Sequence, residues 1–282
     1  MRLSISNIAW DPSEDSYILE LLRKFNIDAI DIVPGKYFNE PINVKQTDLD
    51  KIKNWWLDRG IEIIGMQALF FGTIGLNLFG SQHIQSLTLK HLEAICRIAS
   101  GIGASRLVFG SPRNRDCTGL TQAQTESLAI SFFRHLGDIA LNHEKNGGGL
   151  MICLEPSHTD YGANFMTSSL ETANLVRAIN HKAIRMQLDT GALIMNNEKI
   201  DTVLYESADL IGHIHASEPN LSPLGDLDTD HNVMHNAISK YLPGYPVTIE
   251  MLPKKNSDHL AAIERALFFA AKHYRPALEN QS

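Results

Sequence analysis

Eight short apolar runs, each closed by polar residues and separated by segments of helical spacing, predict an α/β fold, a (β/α)8 barrel forming one domain over residues 1–282. Three observations carry the expectation. The runs read as continuous rather than alternating apolar stretches, as parallel strands covered on both faces do. The longer polar segments, 35–46, 72–84, 111–120, 157–167 and 217–232, all follow strands, where a barrel carries its chemistry. No GxGxxG follows the first run, so an open dinucleotide-binding sheet has no support.

The first strand is read over LSISNIAW (3–10), and the helix SEDSYILELLRKFN (13–26) follows with Ser13 as its cap. AIDIVP (29–34) is the second strand, and TDLDKIKNWWLDRG (47–60) a helix stopped by glycine. IEIIGMQALF (61–70) leads to the amphipathic helix QSLTLKHLEAICRIASGIG (85–103). RLVFGSP (106–112) precedes a long helix over 121–148 that closes on glycines. LMICLEP (150–156), the helix SSLETANLVRAIN (168–180), IRMQLDT (184–190) and IGHIHASEP (211–219) come next, with no helix assigned between the last two. DHNVMHNAISKYL (230–242) is a weaker helix, PVTIEM (246–251) the eighth strand, and 257–274 the closing helix.

Composition narrows the partners. A net charge of −7 without a basic run argues against nucleic acid and anionic membrane. No stretch approaches the roughly 20 apolar residues of a membrane helix, and MRLSISNIAWDPSED lacks the apolar core of a secretory leader. Cys96, Cys117 and Cys153 lie far apart with no CxxC pair, which fits reduced, structural thiols and a cytoplasmic protein.

The chemistry concentrates at four strand ends. Glu155, Asp189, His215 and Glu250 close ICLE, MQLD, HIH and VTIE at separations of 34, 26 and 35 residues. One βα unit is about 30 residues or more, so the four side chains gather on one rim. Singly, each has an ordinary alternative: an acid at a strand end is often a cap or half of an ion pair, Asp189 before TGAL suits a turn cap, and a buried histidine is often a core residue. Jointly, three carboxylates and an imidazole need a cation. Their hard, oxygen-rich set suits one divalent ion, Mn²⁺ or Mg²⁺ first, with Co²⁺ or Zn²⁺ as alternatives. In HIHAS we expect one histidine to face the barrel interior and the other the helices, so that only one joins the site.

The order LEP…LDT…HIHASEPN…IEM resembles the xylose isomerase-like superfamily of sugar isomerases and epimerases, closest to its D-tagatose 3-epimerase-like branch; DYGANF (160–165) is similar to a segment recurring there. The resemblance spans the chain in strand order and is strongest in the last half. It implies a TIM barrel in which Glu155, Asp189, His215 and Glu250 hold one divalent ion, Mn²⁺ as a rule. It also selects His215 over His213, leaving His213 for packing, the shell behind the ligands or substrate contact. The implied reaction is deprotonation and reprotonation next to a carbonyl through a metal-stabilised enediolate, with Glu155 and Glu250 as the catalytic acid and base. The partner is a small sugar or sugar derivative, and relatives are often homo-oligomers. Where that branch has a histidine, an arginine and a glutamate that grip substrate, this chain has Ala192, Leu221 and Tyr161, which implies a substrate other than the free ketohexoses. Glu218 matches a glutamate of the branch that orients substrate; a solvated loop acid is its plainer reading.

Arg113 and Arg115 in GSPRNR suit a phosphate or carboxylate; we favour Arg113 for substrate and read Arg115 as a solvated loop residue. Trp10 and Phe71 suit an apolar wall or plain core. Two other activities fit the pattern less well or no better. An inosose dehydratase-like enzyme would use the same proton abstraction to expel a hydroxyl. An endonuclease IV-like phosphodiesterase would need three zinc ions and histidines that the third and fourth strands lack, although Asp228 or Asp230 with His231 forms a reminiscent pair. A barrel that keeps its metal only for sugar sensing would have no need of both glutamates.

Overall fold

The computed structural model describes residues 1–143, 149–252 and 258–275. Eight parallel strands close into a barrel in the order β1 to β8. They are β1 Leu3–Ser6, β2 Ala29–Ile32, β3 Glu62–Met66, β4 Arg106–Phe109, β5 Met151–Leu154, β6 Ile184–Asp189, β7 Ile211–Ser217 and β8 Val247–Glu250. Each falls inside an expected run but is shorter, because the backbone leaves the ladder early. After Ser6, for instance, the chain turns into a 3-10 helix over Asn7–Ala9, with the Ser6 side chain accepting from the Ile8 N–H.

The helices are α1 Asp15–Lys24, α2 Pro34–Tyr37, α3 Gln46–Leu57, α4 Gln82–Ile102, α5 Gln122–Asn142, α6 Ser169–Ile179, α7 Thr190–Met195, α8 Ile200–Ser207, α9 His231–Tyr241 and α10 His259–Tyr274. Their ends follow capping chemistry. Ser81 caps α4, which therefore starts earlier than its periodicity implies, and Thr121 with Gln124 forms a capping box on α5. Gly103 and Asn180 stop α4 and α6 in the left-handed conformation. Ser13 is not the cap of the first helix: it lies inside a 3-10 turn, Pro12–Glu14, that Asp11 caps with Glu14 completing the box, and α1 continues from that turn with Glu14 at its N-cap position. The glycine-closed end expected for α5 reaches 144–148, which lies outside the described residues, as does Ser257 before α10. The connection from β6 to β7 is a correction. It holds α7 and α8, each too short to show a repeating apolar stripe, with Asn197 at φ 53° between them. None of the described helices is long and apolar enough to cross a membrane.

The strands are largely buried, but several of them are not continuously apolar. Ser4 and Ser6, Gln187 and Asp189, His213, His215 and Ser217, and Thr248 and Glu250 recur at period two, alternating with Leu3, Ile5, Leu188, Ile214, Ala216, Val247 and Ile249. Period two puts one set on one face. Contacts across the barrel show that the polar set points inward: Asp31 of β2 meets His213 of β7 at 2.6 Å, and Gln67, just past β3, donates to Ser6 of β1 at 2.6 Å. The apolar set and the helices form the outer core, as in α10, where Ala262, Ile263, Ala266, Leu267 and Ala270 make the buried stripe.

Beside β1, Trp10 Nε1 and the Tyr37 hydroxyl each donate to Asp15 at 2.8 Å. Burial nevertheless pushes the Asp15 carboxyl up to about 6. The folded state therefore holds this proton more tightly than the unfolded chain, whose carboxyl titrates near 4. The resulting stabilisation is complete below about pH 4 and is lost as the pH rises through about 6. Asp15→Asn keeps the shape without the charge. In urea unfolding between pH 4 and 7, the stability of D15N should gain on the wild type by about 2 kcal/mol as the pH rises; parallel curves would contradict the assignment.

Candidate metal centre

Strand register assembles the centre. Asp189 lies opposite His215 across β6 and β7, and Ser217 opposite Glu250 across β7 and β8. His215 itself pairs with Thr248, so it sits one side-chain layer deeper than Glu250. The four residues are therefore not at one depth along their strands. Strand tilt closes the stagger, and Glu155, Asp189, His215 and Glu250 each bring one ligand atom within 4.8 Å of the other three. His215 Nδ1 stands 3.2 Å from Glu250 Oε2 and 3.6 Å from Glu155 Oε1.

Local chemistry holds each side chain. Glu155 follows β5, its N–H bonded to the Phe109 carbonyl and its own carbonyl accepting from Arg115 Nη1 at 2.6 Å. Its carboxylate lies against Gly110, where a Cβ would come 1.9 Å from Oε2. Asp189 does both things a strand-end acid can do. Oδ1 caps α7 by accepting from the Ala192 N–H at 2.6 Å, Oδ2 accepts from the Ser217 hydroxyl at 2.7 Å, and the carboxylate still belongs to the cluster.

The charge balance asks for a cation. Burial, then the carboxylates of Glu155 and Glu250, pushes Asp189 up to about 7. Burial also raises Glu155, with Glu250 adding to it. Burial alone would lower His215, but Glu250, Asp31 and Glu155 overturn that and lift it well above the ordinary histidine range. Acids that resist ionising and an imidazole that resists losing its proton are two signs of one deficit of positive charge. Glu155 Oε1 is buried without a hydrogen-bond partner. Three carboxylates and one imidazole nitrogen therefore fit a hard divalent ion.

A cavity of about 270 Å³ opens above, with Glu155, Asp189 and Glu250 at its base. Pro112, Pro156, Ala192 and Leu221 give it apolar walls, and Tyr161 borders it too.

The sequence matches the model of the xylose isomerase-like TIM barrel over residues 19–270. The chain belongs to this family. Among solved structures, the barrel is similar to D-psicose 3-epimerase with D-tagatose from Clostridium cellulolyticum H10, at TM-score 0.78 and 14% identity over 97% of this chain and 99% of that one. It is also similar to 3-keto-D-glucoside 4-epimerase from E. coli, at TM-score 0.72 and 15% identity over 95% and 98%. A third likeness is to the IOLI protein with a binding zinc atom, at TM-score 0.71 and 16% identity over 97% and 99%. At such identities the likeness is one of fold. Comparison with curated proteins gives no match.

Within this xylose isomerase-like barrel, several residues lie elsewhere than expected. His213 and His215 both point inward, because residues two apart on a strand share a face; His213 is fully buried against Asp31 and is not among the residues lining the cavity. Glu218 borders the cavity but is buried rather than solvated. Its buried carboxylate accepts from the Gly225 N–H and the Thr229 hydroxyl and meets His231 Nε2 at 3.3 Å, pinning the loop after β7. Arg115, expected in solvent, is 1% exposed and bound to the Glu155 carbonyl, whereas Arg113 is exposed. Tyr161 is 41% exposed, and its hydroxyl accepts from the Asn220 N–H at 2.7 Å. Trp10 is core, and Phe71 is exposed. Asp230 caps α9 and His231 bonds Tyr274, so the Asp-x-His stretch serves the scaffold. Cys96 and Cys153 are buried thiols that burial pushes up to about 12. Sequence reasoning passed over Asp31, although a lone acid inside the buried run AIDIVP was a signal.

Gly110→Ala should force the Glu155 carboxylate aside. Calorimetric titration with Mn²⁺ should show affinity reduced about tenfold or more, with an unchanged far-UV circular dichroism spectrum; an unchanged affinity would refute this placement of Glu155.

Proposed function

We propose that the chain, acting as one domain over 1–282, is a divalent-metal-dependent sugar isomerase or epimerase of the cytoplasm that exchanges a proton next to a carbonyl. The observation that carries this reading is the meeting of four donor atoms, from the ends of four strands, within 4.8 Å of one another at the base of a cavity. Glu155, Asp189, His215 and Glu250 would hold one ion, Mn²⁺ first among Mg²⁺, Co²⁺ and Zn²⁺. Bound there, it supplies Lewis acidity that makes a hydrogen beside a carbonyl acidic.

The rest falls to side chains. Glu155 and Glu250 both approach His215 Nδ1 and line the cavity, with side chains 17% and 11% exposed, so each can reach a molecule there. One removes the proton and the other returns one to the opposite face. The apolar wall of Ala192, Leu221 and Pro112 favours a substrate whose far end is less hydroxylated than a free ketohexose. The likeness to a D-psicose 3-epimerase and a 3-keto-D-glucoside 4-epimerase supports the sugar class. The structural use of Asp230 and His231 weighs against a three-zinc phosphodiesterase.

The test is proton exchange from D₂O into ketoses, sugar acids and sugar phosphates with Mn²⁺, read by mass spectrometry. Glu250→Gln should lower exchange by about 10²–10⁴ while the melting curve persists. Exchange in E250Q within tenfold of wild type would sink the mechanism, and release of water from the substrate would place the chain with dehydratases instead.

A further inference from the structure

Beneath the four ligands lies a second buried group that the mechanism does not use. Asp31 on β2 is fully buried, with Oδ2 at 2.6 Å from His213 Nε2 and 3.7 Å from His215 Nε2. The place is shaped for a carboxylate. The β2–β3 register shifts between Ile30 and Asp31, and the residue that then faces Asp31 is Gly65. A Cβ there would stand 2.5 Å from Asp31 Oδ1, so only glycine leaves the room. Thr248 Oγ1, 3.4 Å from His213 Nε2, closes the same layer.

An isolated buried carboxylate is costly, and packing alone would be served as well by an apolar side chain. The position of Asp31 between two imidazoles suggests what it does. A neutral imidazole has one N–H and one lone pair, and its surroundings decide which nitrogen has which. A nitrogen facing a carboxylate at 3.7 Å is stable as N–H, since a lone pair there would meet negative charge. The other nitrogen of the same ring, Nδ1, then turns its lone pair toward Glu155 and Glu250, where a cation would sit. His213 completes the device by holding the Asp31 carboxylate through the 2.6 Å bond.

We infer that Asp31 is a positioning residue that fixes His215 as the Nε2–H tautomer and aims Nδ1 at the metal, with His213 as the anchor of Asp31. This rests on the proposed function in requiring an ion at the four ligands. It differs from a plain structural ion pair, which would bury Asp31 with His213 and be indifferent to the state of His215.

The test uses the full chain labelled with ¹⁵N-histidine and loaded with diamagnetic Zn²⁺. Long-range ¹H–¹⁵N correlation, assigned by the signal lost in His215→Gln, reads the ring directly. The expected spectrum has the proton on Nε2 and the metal on Nδ1. In Asp31→Asn the Nε2 proton should move upfield, and calorimetric Mn²⁺ affinity should fall about 10–100-fold. Metal on Nε2 in the wild type would overturn the inference, and so would D31N with both readouts unchanged. Two ions per wild-type chain falling to one in D31N would also overturn it, by making Asp31 a ligand. If D31N does not fold, the wild-type spectrum alone decides. A wild type that binds no metal at all removes the proposed function together with this inference, whereas metal binding indifferent to Asp31 removes only the inference.

Discussion

Three carboxylates and an imidazole crowd into one rim of a closed barrel, mostly out of water, and the charge they accumulate governs the rest of the structure. Asp189 is driven toward neutrality at about 7 and His215 toward keeping its proton, both answers to the same want of positive charge. A scaffold tolerates such a cluster only if it cannot relax. Here the acids are fastened from behind: Asp189 by the Ala192 N–H and the Ser217 hydroxyl, Glu155 by its strand-end backbone bond, Gly110 and the buried Arg115. These contacts take up side-chain freedom before any ligand arrives, which is how a rigid site binds without a large ordering cost.

The barrel interior is built to the same end. A filled barrel commonly packs bulky branched residues inside. This one instead directs a polar series inward from β1, β2, β6, β7 and β8 and keeps its aliphatic residues for the helix-facing side. The result is graded polarity, from the Ser6–Gln67 and Asp31–His213 pairs within the barrel to the acids at its mouth. Buried polar pairs that are well bonded specify one arrangement of strands, because a register slip would leave several of them unpaired. The loop after β7 follows the same rule, with Glu218 bonding Gly225, Thr229 and His231 so that Leu221 and Asn220 are held at the cavity edge despite left-handed backbone at both.

Much was legible in the residues alone. Strand number, the alternation with helices and the four ligand candidates follow from patterns that repeat along the chain, and such patterns survive without coordinates because they reflect local geometry and the roughly constant length of a βα unit. The β6–β7 helices escaped notice because two turns each carry too few residues for a period to show. The burial of Glu218 and Arg115 is hidden for a different reason: a charged residue in a loop looks alike in sequence whether it meets water or a buried partner.

The sequence by itself determined that three acids and a histidine lie at or near the ends of four strands, and hence that they share a rim. Only the tertiary structure decided how deep each sits, which histidine nitrogen faces the acids, and that Asp31 stands behind His215. Those outcomes depend on the stagger and tilt of a closed sheet, which bring together side chains as far apart in the chain as Asp31 and His213, and no local pattern in either segment encodes the distance between them.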